Sequence, residues 1–142
     1  MGEALVLVAN DDAFVVLNRY PFAAGHLLVI PTRHVGELCE LTDGQHDALF
    51  RLVRETAKRL ERAVSAEGLN IGINVGCAAG AGLAAHLHVH VVPRWNGDFN
   101  FMPVVAGVTV MPQHLRDTFS RLHPHFVDIP GRHAKTAEPG SR

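Results

Sequence analysis

The sequence predicts an α+β domain in which a five-stranded antiparallel sheet packs against one long and one short helix. Short apolar segments with the two-residue period of a strand outnumber helical segments, and they come mostly in neighbouring pairs. One long segment has apolar residues at steps of three and four, the spacing of a helix that buries one face. Neighbouring strands favour antiparallel pairing, so the helices are expected on one face of the sheet.

Three strands are predicted before residue 32. Leu5–Val8 is the first, and the polar residues 10–12 form the turn that follows it. Phe14–Leu17 is the second strand. His26–Ile30 is the third, and Pro31 ends it because proline lacks the N–H that a ladder needs.

The long helix is predicted over Asp43–Glu67. Thr42 and Gln45 have the spacing of a capping box at its start. Gly68 is the expected stop at its C-terminus. The buried stripe consists of Leu49, Val53, Ala57, Leu60 and Val64.

Two further strands and a short helix complete the predicted domain. Asn70–Val75 is the fourth strand, His86–Val92 the fifth, and Pro112–Leu122 a short second helix. Residues 1–126 therefore form a single domain. Val127–Arg142 contains two Pro-Gly pairs and is expected to be a flexible tail.

Composition is typical of a small intracellular protein. Hydrophobic residues make up 47% of the 142 residues, enough for one core. The formal net charge is −1, so nucleic acid is not the expected partner. No apolar run has membrane-spanning length and no N-terminal targeting pattern is present, so we expect neither membrane association nor export. The two cysteines form no CxxC pair. A cytoplasmic location is expected.

The most informative segment is His86–Val92, in which three histidines alternate with aliphatic residues. In a strand, this pattern places three imidazoles on one face and aliphatic side chains on the other. Burying imidazoles without partners is costly, so the histidine face should meet a polar ligand. Three interpretations exist: incidental surface histidines, a metal site, or catalysis in which one imidazole attacks phosphorus. Spacing alone does not decide between the last two.

The flanks of this segment carry a family resemblance. Asn70–Gly76 reads NIGINVG, Cys77–Ala85 is a loop of small residues, and Pro93–Pro103 reads PRWNGDFNFMP. Together with the three histidines, they resemble the histidine triad (HIT) family of nucleotide hydrolases and transferases. The similarity is to a bacterial branch that includes diadenosine tetraphosphate phosphorylases and hydrolases. It extends from about Leu5 to Leu122.

The resemblance implies roles for the three histidines. The middle one, His88, is expected to be the nucleophile, because both neighbours can hold it in place and a backbone carbonyl near His86 fixes its tautomer. His90 is expected to assist the leaving group, and His86 to be mainly structural. The α-phosphate linkage of a purine nucleotide, such as a diadenosine polyphosphate, would be cleaved through a nucleotidyl-histidine intermediate.

The resemblance also implies substrate contacts. Asn18 matches a position that contacts ribose, and Asn74 one that contacts phosphate. Gly80 and Gly82 would bring bare backbone to a phosphate, although a tight connection explains them equally well. His26 opens a strand, and either a structural hydrogen bond or a catalytic task could explain it.

The implied enzyme needs no cofactor. A nucleophilic imidazole cannot hold zinc on the nitrogen that attacks, so no metal ligand is assigned, although Mg²⁺ could accompany the polyphosphate. The family fold implies a homodimer. A nucleotide- or metal-binding protein without turnover is the alternative. Related uridylyltransferases have glutamine where His90 stands, which favours water or phosphate as the acceptor and leaves the choice between them open.

Overall fold

The computed structural model describes residues 5–81, 86–98 and 112–134. Within them, five strands form one antiparallel sheet in the order β1-β2-β3-β5-β4, which confirms the predicted class. The strands are β1 (Val6–Ala9), β2 (Ala13–Leu17), β3 (Leu27–Pro31), β4 (Gly68–Ile73) and β5 (Val89–Arg94). The helices are α1 (Asp43–Val64) and α2 (Pro112–Leu122). None of the described helices combines the length and apolarity needed to cross a bilayer.

The register of the sheet sets the surroundings of His90 on β5. His90 lies opposite Leu28 of β3 on one side and opposite Gly72 of β4 on the other. Residues directly opposite one another project from the same face. The imidazole of His90 therefore stands on a sheet face that also carries Leu28 and the bare backbone of Gly72.

The two faces of the sheet differ in burial. One face packs against α1 and forms a core whose fully buried members include Leu7, Val15, Leu27, Leu49, Leu60, Val91 and Phe126. The opposite face, here called the open face, has half-buried apolar residues on β2 and β3, which are Phe14, Val16, Leu28 and Ile30. The histidines therefore border an apolar surface that the helices leave uncovered.

Helix α1 begins as predicted and ends earlier than predicted. The Thr42 side chain accepts the N–H of Gln45 and the Gln45 side chain accepts the N–H of Thr42, so the capping box is confirmed. The helix ends at Val64 because Ser65 takes the left-handed conformation, with φ 50° and ψ 44°. Gly68 is therefore the first residue of β4, and its prediction as the helix stop is wrong.

Strand bounds shift by one to three residues, most of all in the fifth strand. Its ladder begins at Val89, because the backbone just before it pairs elsewhere: the N–H of Leu87 donates to the carbonyl of Val35 at 2.7 Å. The alternation nevertheless persists through Leu87, Val89 and Val91, which are buried, while the three histidines are half-buried. The predicted period of two is therefore right, although the predicted strand bounds are not.

The prediction of a flexible tail from residue 127 is wrong for residues 127–134. Ile129 is buried, and Arg132 and Ala9 exchange two backbone hydrogen bonds of 2.7 and 2.8 Å. Gly131 makes this approach possible, because a Cβ there would lie 2.6 Å from the Ala9 carbonyl oxygen. The segment extends the domain past residue 126 and covers the edge at β1. Residues 135–142 lie outside the described part of the chain.

Candidate functional site

The proton positions in the triad segment are set by main-chain groups. Nδ1 of His88 lies 2.8 Å from the carbonyl oxygen of His86. A carbonyl only accepts, so Nδ1 of His88 must carry the proton. In the neutral ring, Nε2 of His88 is then left with its lone pair. The sequence-based expectation of a tautomer-fixing carbonyl near His86 therefore agrees with the geometry.

His86 itself faces the end of β3. Its Nε2–H lies 2.6 Å from the carbonyl oxygen of Pro31 and 3.0 Å from that of Arg33. Its ring also packs against His34, with 4.7 Å between ring centroids. These contacts fasten the chain just before β5 to the end of β3, which agrees with a mainly structural role.

His26 and His90 form a directed hydrogen-bond relay that sequence reasoning did not find. The N–H of Phe22 donates to Nδ1 of His26 at 3.0 Å, so this nitrogen is an acceptor. The proton of neutral His26 therefore sits on Nε2, which donates to Nδ1 of His90 at 3.0 Å. His90 in turn must carry its proton on Nε2. The relay assigns His90 as a neutral hydrogen-bond donor.

Burial keeps both members of the relay uncharged. His26 is only 6% exposed, and burial lowers its pKa to about 4, helped by repulsion from His90 and His88 in their charged forms. The pKa of His90 is lowered as well, by burial first and by His88 second. A ring this deeply buried is poorly placed to touch substrate. His26 positions His90 through their shared hydrogen bond, and its predicted contact with substrate stays a prediction.

Asn18 lies next to this relay. Its Nδ2 is 3.4 and 3.5 Å from the two ring nitrogens of His26, and its Oδ1 accepts the N–H of Tyr20 at 3.0 Å. The backbone N–H of Asn18 donates to the carbonyl of His26 and closes the loop between β2 and β3. The structure thus brings Asn18 and His26 together beside His90, as the sequence analysis expected of site residues.

Asn74 and Gly80 occupy the loop that leaves β4. A Cβ on Gly80 would lie 3.7 Å from Nδ2 of Asn74, so the two residues are neighbours. Gly80 has φ 95°, and its N–H donates to the carbonyl of Cys77 at 3.0 Å. That N–H is already paired, and a phosphate contact at Gly80 stays a prediction. Gly82 lies outside the described residues.

The site brings together a ring nitrogen with a lone pair and an N–H donor. His88 and His90 pack edge to face, with 4.7 Å between ring centroids, so Nε2 of His88 and Nε2–H of His90 belong to one small site. Across residues 5–81, 86–98 and 112–134, no group of three His, Cys, Asp or Glu side chains is arranged to hold a metal ion. A lone pair beside a neutral donor suits attack on an electrophile that carries an oxygen leaving group.

Comparisons with known proteins match most of this chain. Residues 2–97 match the HIT domain family model. The chain is 45% identical over 116 residues to a Mycobacterium tuberculosis protein named AP-4-A phosphorylase, which covers 82% of this chain and 60% of that protein. It is 43% identical over 88 residues to a Schizosaccharomyces pombe protein named asymmetrical bis(5'-nucleosyl)-tetraphosphatase, covering 62% of this chain and 47% of that one. The chain therefore spans about half to three fifths of these relatives.

A solved structure gives the same result for the fold. A zinc-bound histidine triad family protein from Mycobacterium smegmatis superposes with a TM-score of 0.71 and is 27% identical. The match covers 88% of this chain and 85% of that one. The described sheet and helices are therefore shared over nearly the full length of both chains.

The buried His26 should make the free energy of unfolding depend on pH. Its pKa in the folded protein, about 4, lies below the ordinary 6.5, so the unfolded state binds the proton first. Its contribution is complete above pH 6.5 and is lost as the pH falls towards 4, at a cost of about 3 kcal/mol. In urea titrations from pH 7 to pH 4, His26→Asn should lose less stability than the wild type. The exposed His125→Asn serves as the control, and equal slopes for all three proteins would contradict the assignment.

Proposed function

This chain belongs to the HIT family, and we propose that it cleaves the bond between the α-phosphate and the β-phosphate of a dinucleoside polyphosphate such as diadenosine tetraphosphate. The observation that carries the proposal is the hydrogen bond from Nδ1–H of His88 to the His86 carbonyl, which leaves Nε2 as a nucleophile. The names of the two relatives support the substrate class.

In the first step, Nε2 of His88 attacks the α-phosphorus. A P–N bond forms, the bond from the α-phosphorus to the bridging oxygen breaks, and ATP leaves with the electron pair. Because Nδ1 of His88 keeps its proton, the modified ring is a cation. The His86 carbonyl oxygen, 2.8 Å from Nδ1, stabilises that charge.

In the second step, the nucleotidyl group leaves His88. Attack by water gives AMP, and attack by inorganic phosphate gives ADP. His88 recovers its lone pair in both cases, so neither acceptor requires a redox partner or a cofactor. We propose that catalysis needs no zinc and that Mg²⁺, if present, accompanies the phosphates of the substrate.

His90 is proposed to stabilise the leaving oxygen by donating a hydrogen bond. The relay from His26 leaves Nε2 of His90 protonated but neutral, so His90 supplies a donor and not a full positive charge. Such a donor acts best where negative charge develops, which is the bridging oxygen as its bond to phosphorus breaks.

The nucleobase is proposed to lie on the open face of β2 and β3. Its half-buried residues Phe14, Val16, Leu28 and Ile30 give an apolar surface, and Leu28 is directly opposite His90. Asn18, beside the relay, is placed to bind the ribose between this surface and the phosphates. A purine is the substrate that uses such an apolar surface most fully.

We also propose a homodimer built on the edge of β4. Its sequence, GLNIGI, has neither proline nor lysine to discourage pairing, and Ile71 is 49% exposed. The opposite edge differs, because Arg132 already bridges Ala9 there. A two-fold contact between β4 strands would bury like against like. The two exposed free cysteines, Cys39 and Cys77, suit the reducing cytoplasm proposed as its location.

Incubation with diadenosine tetraphosphate tests the activity. The wild-type protein should release ATP together with AMP, or ATP together with ADP when phosphate is present, as resolved by ion-exchange chromatography. His88→Ala removes the nucleophile, so turnover and the adenylyl adduct detected by mass spectrometry should both disappear. The exposed His125→Ala is the control. Nucleotide binding without any cleavage by the wild type would indicate a binding protein instead.

The two flanking histidines should differ in their effect on rate. His90→Ala removes the donor at the leaving oxygen, and kcat/KM should fall by about 10²–10⁴-fold. His90→Gln keeps an N–H donor and should lose less. His86→Ala should cost less than His90→Ala, because Nε2–H of His86 donates to the backbone carbonyls of Pro31 and Arg33 and not to the leaving oxygen. Equal losses for all three variants would argue against these roles.

Light scattering tests the homodimer. The wild type should have a mass near twice the 15.4 kDa of one chain. Ile71→Lys places a charge on the β4 edge and should shift the protein to the monomer. Val127→Lys introduces the same charge at an exposed position away from that edge and should remain dimeric. A monomeric wild type would refute the proposal.

A further inference from the structure

A polar pocket lies on the open face at the far end of β5. It has a volume of about 430 Å³ and is lined by Glu67, Gly68, Asn70, Arg94, Trp95, Asn96, Gly97 and Asp98. We propose that it binds the distal nucleoside of a dinucleoside polyphosphate, the one that departs with the leaving group. This inference rests on the proposed function and specifies the substrate of that same site.

The pocket is on the same face of the sheet as the catalytic histidines. His90 and Arg94 are four residues apart on β5, so their side chains project in the same direction, about 13 Å apart along the strand. A polyphosphate chain with its ribose spans such a distance. His88, where the substrate is anchored, is six residues from Arg94, about 20 Å along an extended chain, so the substrate reaches the pocket with its phosphate chain extended.

The surface between His90 and the pocket carries little side-chain volume on β4. On β4, Gly72 lies opposite His90 and Gly68 lies opposite Arg94, so both glycines face the open side. A Cβ at either glycine would meet no atom within 4 Å among the described residues. Neither glycine is required by close packing. Asn70 and Val92 lie between them on the same face, so a chain of phosphates would cross bare backbone at the two glycines and pass beside Asn70.

The lining favours a nucleoside over a phosphate. Nε and Nη2 of Arg94 donate to the two carboxylate oxygens of Asp98 at 3.0 Å, and Nη1 donates to Asn70 at 2.9 Å. This pairing raises the pKa of Arg94 and lowers that of Asp98, so both groups stay charged. Glu67 adds a second carboxylate beside this one guanidinium; it accepts the backbone N–H and the side-chain N–H of Asn96 and keeps further lone pairs. An anion is disfavoured there, whereas carboxylate and amide oxygens accept hydrogen bonds from ribose hydroxyls.

Two contacts fix the pocket relative to the catalytic site. The indole N–H of Trp95 donates to the Ser65 carbonyl at 3.0 Å, which holds a ring that lines the pocket. The guanidinium of Arg94 lies 5.4 Å from the ring centroid of Phe22, whose backbone N–H holds His26. Arg94 thus connects the pocket to the segment that holds His26, and Trp95 supplies an aromatic ring to the pocket lining.

Fluorescence gives a test that does not depend on turnover, because Trp95 is the only tryptophan in the chain. In a His88→Asn background, the Trp95 emission is titrated with diadenosine tetraphosphate and with adenosine 5′-tetraphosphate, which lacks the second nucleoside. The dinucleotide should change the emission and bind about tenfold more tightly, the effect of one stacked base.

Gly68→Leu fills the pocket from a position where a Cβ meets open space. In this variant the affinity for the dinucleotide should fall to that for adenosine 5′-tetraphosphate, which should itself be unchanged. Gly44→Leu, also at an open position but on α1, is the matched control and should keep the tenfold difference. With His88 intact, kcat/KM should show the same selective loss.

Three results would overturn the inference. They are equal affinities for the two nucleotides before the pocket is filled, an unchanged preference in Gly68→Leu, and an equal loss for both nucleotides in that variant. Each of them leaves the proposed cleavage reaction standing if the wild type still turns over the dinucleotide. Failure to bind or cleave either nucleotide would instead contradict the proposed function, and this inference with it.

Discussion

The site depends on one constraint, which is that a neutral imidazole carries a single proton. Two main-chain groups decide where that proton sits. The His86 carbonyl draws it to Nδ1 of His88, and the Phe22 amide excludes it from Nδ1 of His26. Nε2 of His26 therefore carries the proton and donates to Nδ1 of His90 at 3.0 Å, which leaves the proton of His90 on its Nε2. A nucleophilic nitrogen and a donating N–H thus arise side by side from residues of the same type.

This arrangement requires the relay to stay uncharged, and burial provides that condition. A charged His26 would have two N–H donors, and its Nδ1 could no longer accept the amide of Phe22. The same burial that holds the tautomer therefore makes protonation costly, as the lowered pKa of His26 indicates. Burial therefore fixes the direction of the hydrogen bond at His90, and it should also make the folded state less stable at acid pH. Buried functional groups often have such a cost in stability.

Sequence reasoning was accurate where the determining contacts are local. The capping box spans three residues and the histidine alternation has the period of a strand, so both could be read directly. It failed in two other places. Ser65 ends α1 although glycine stands three residues later, and residues 127–134 pack against a strand that lies more than a hundred residues earlier. No periodic pattern in the sequence indicates the helix end at Ser65 or the packing of residues 127–134.

The relay, like the packing of residues 127–134, depends on residues that are far apart in the sequence. His26 and His90 are 64 residues apart. The partner of His26 at its other nitrogen is a backbone N–H, a group that nearly every residue carries, so the sequence does not identify it. The sequence could therefore propose that His26 matters without showing how. Only the pairing of β3 with β5, which sets Leu27 opposite Val91, brings the two rings within reach.

The position of β5 separates the histidines proposed for catalysis from the residues proposed to select the substrate. It is paired on both sides, by β3 and β4, so the spacing between His90 and Arg94 is fixed by the ladder. The groups that would distinguish one substrate from another lie at its ends, in the loop of Asn18 and in the turn that follows Arg94. Changes there can alter what is bound without moving His88 relative to His90.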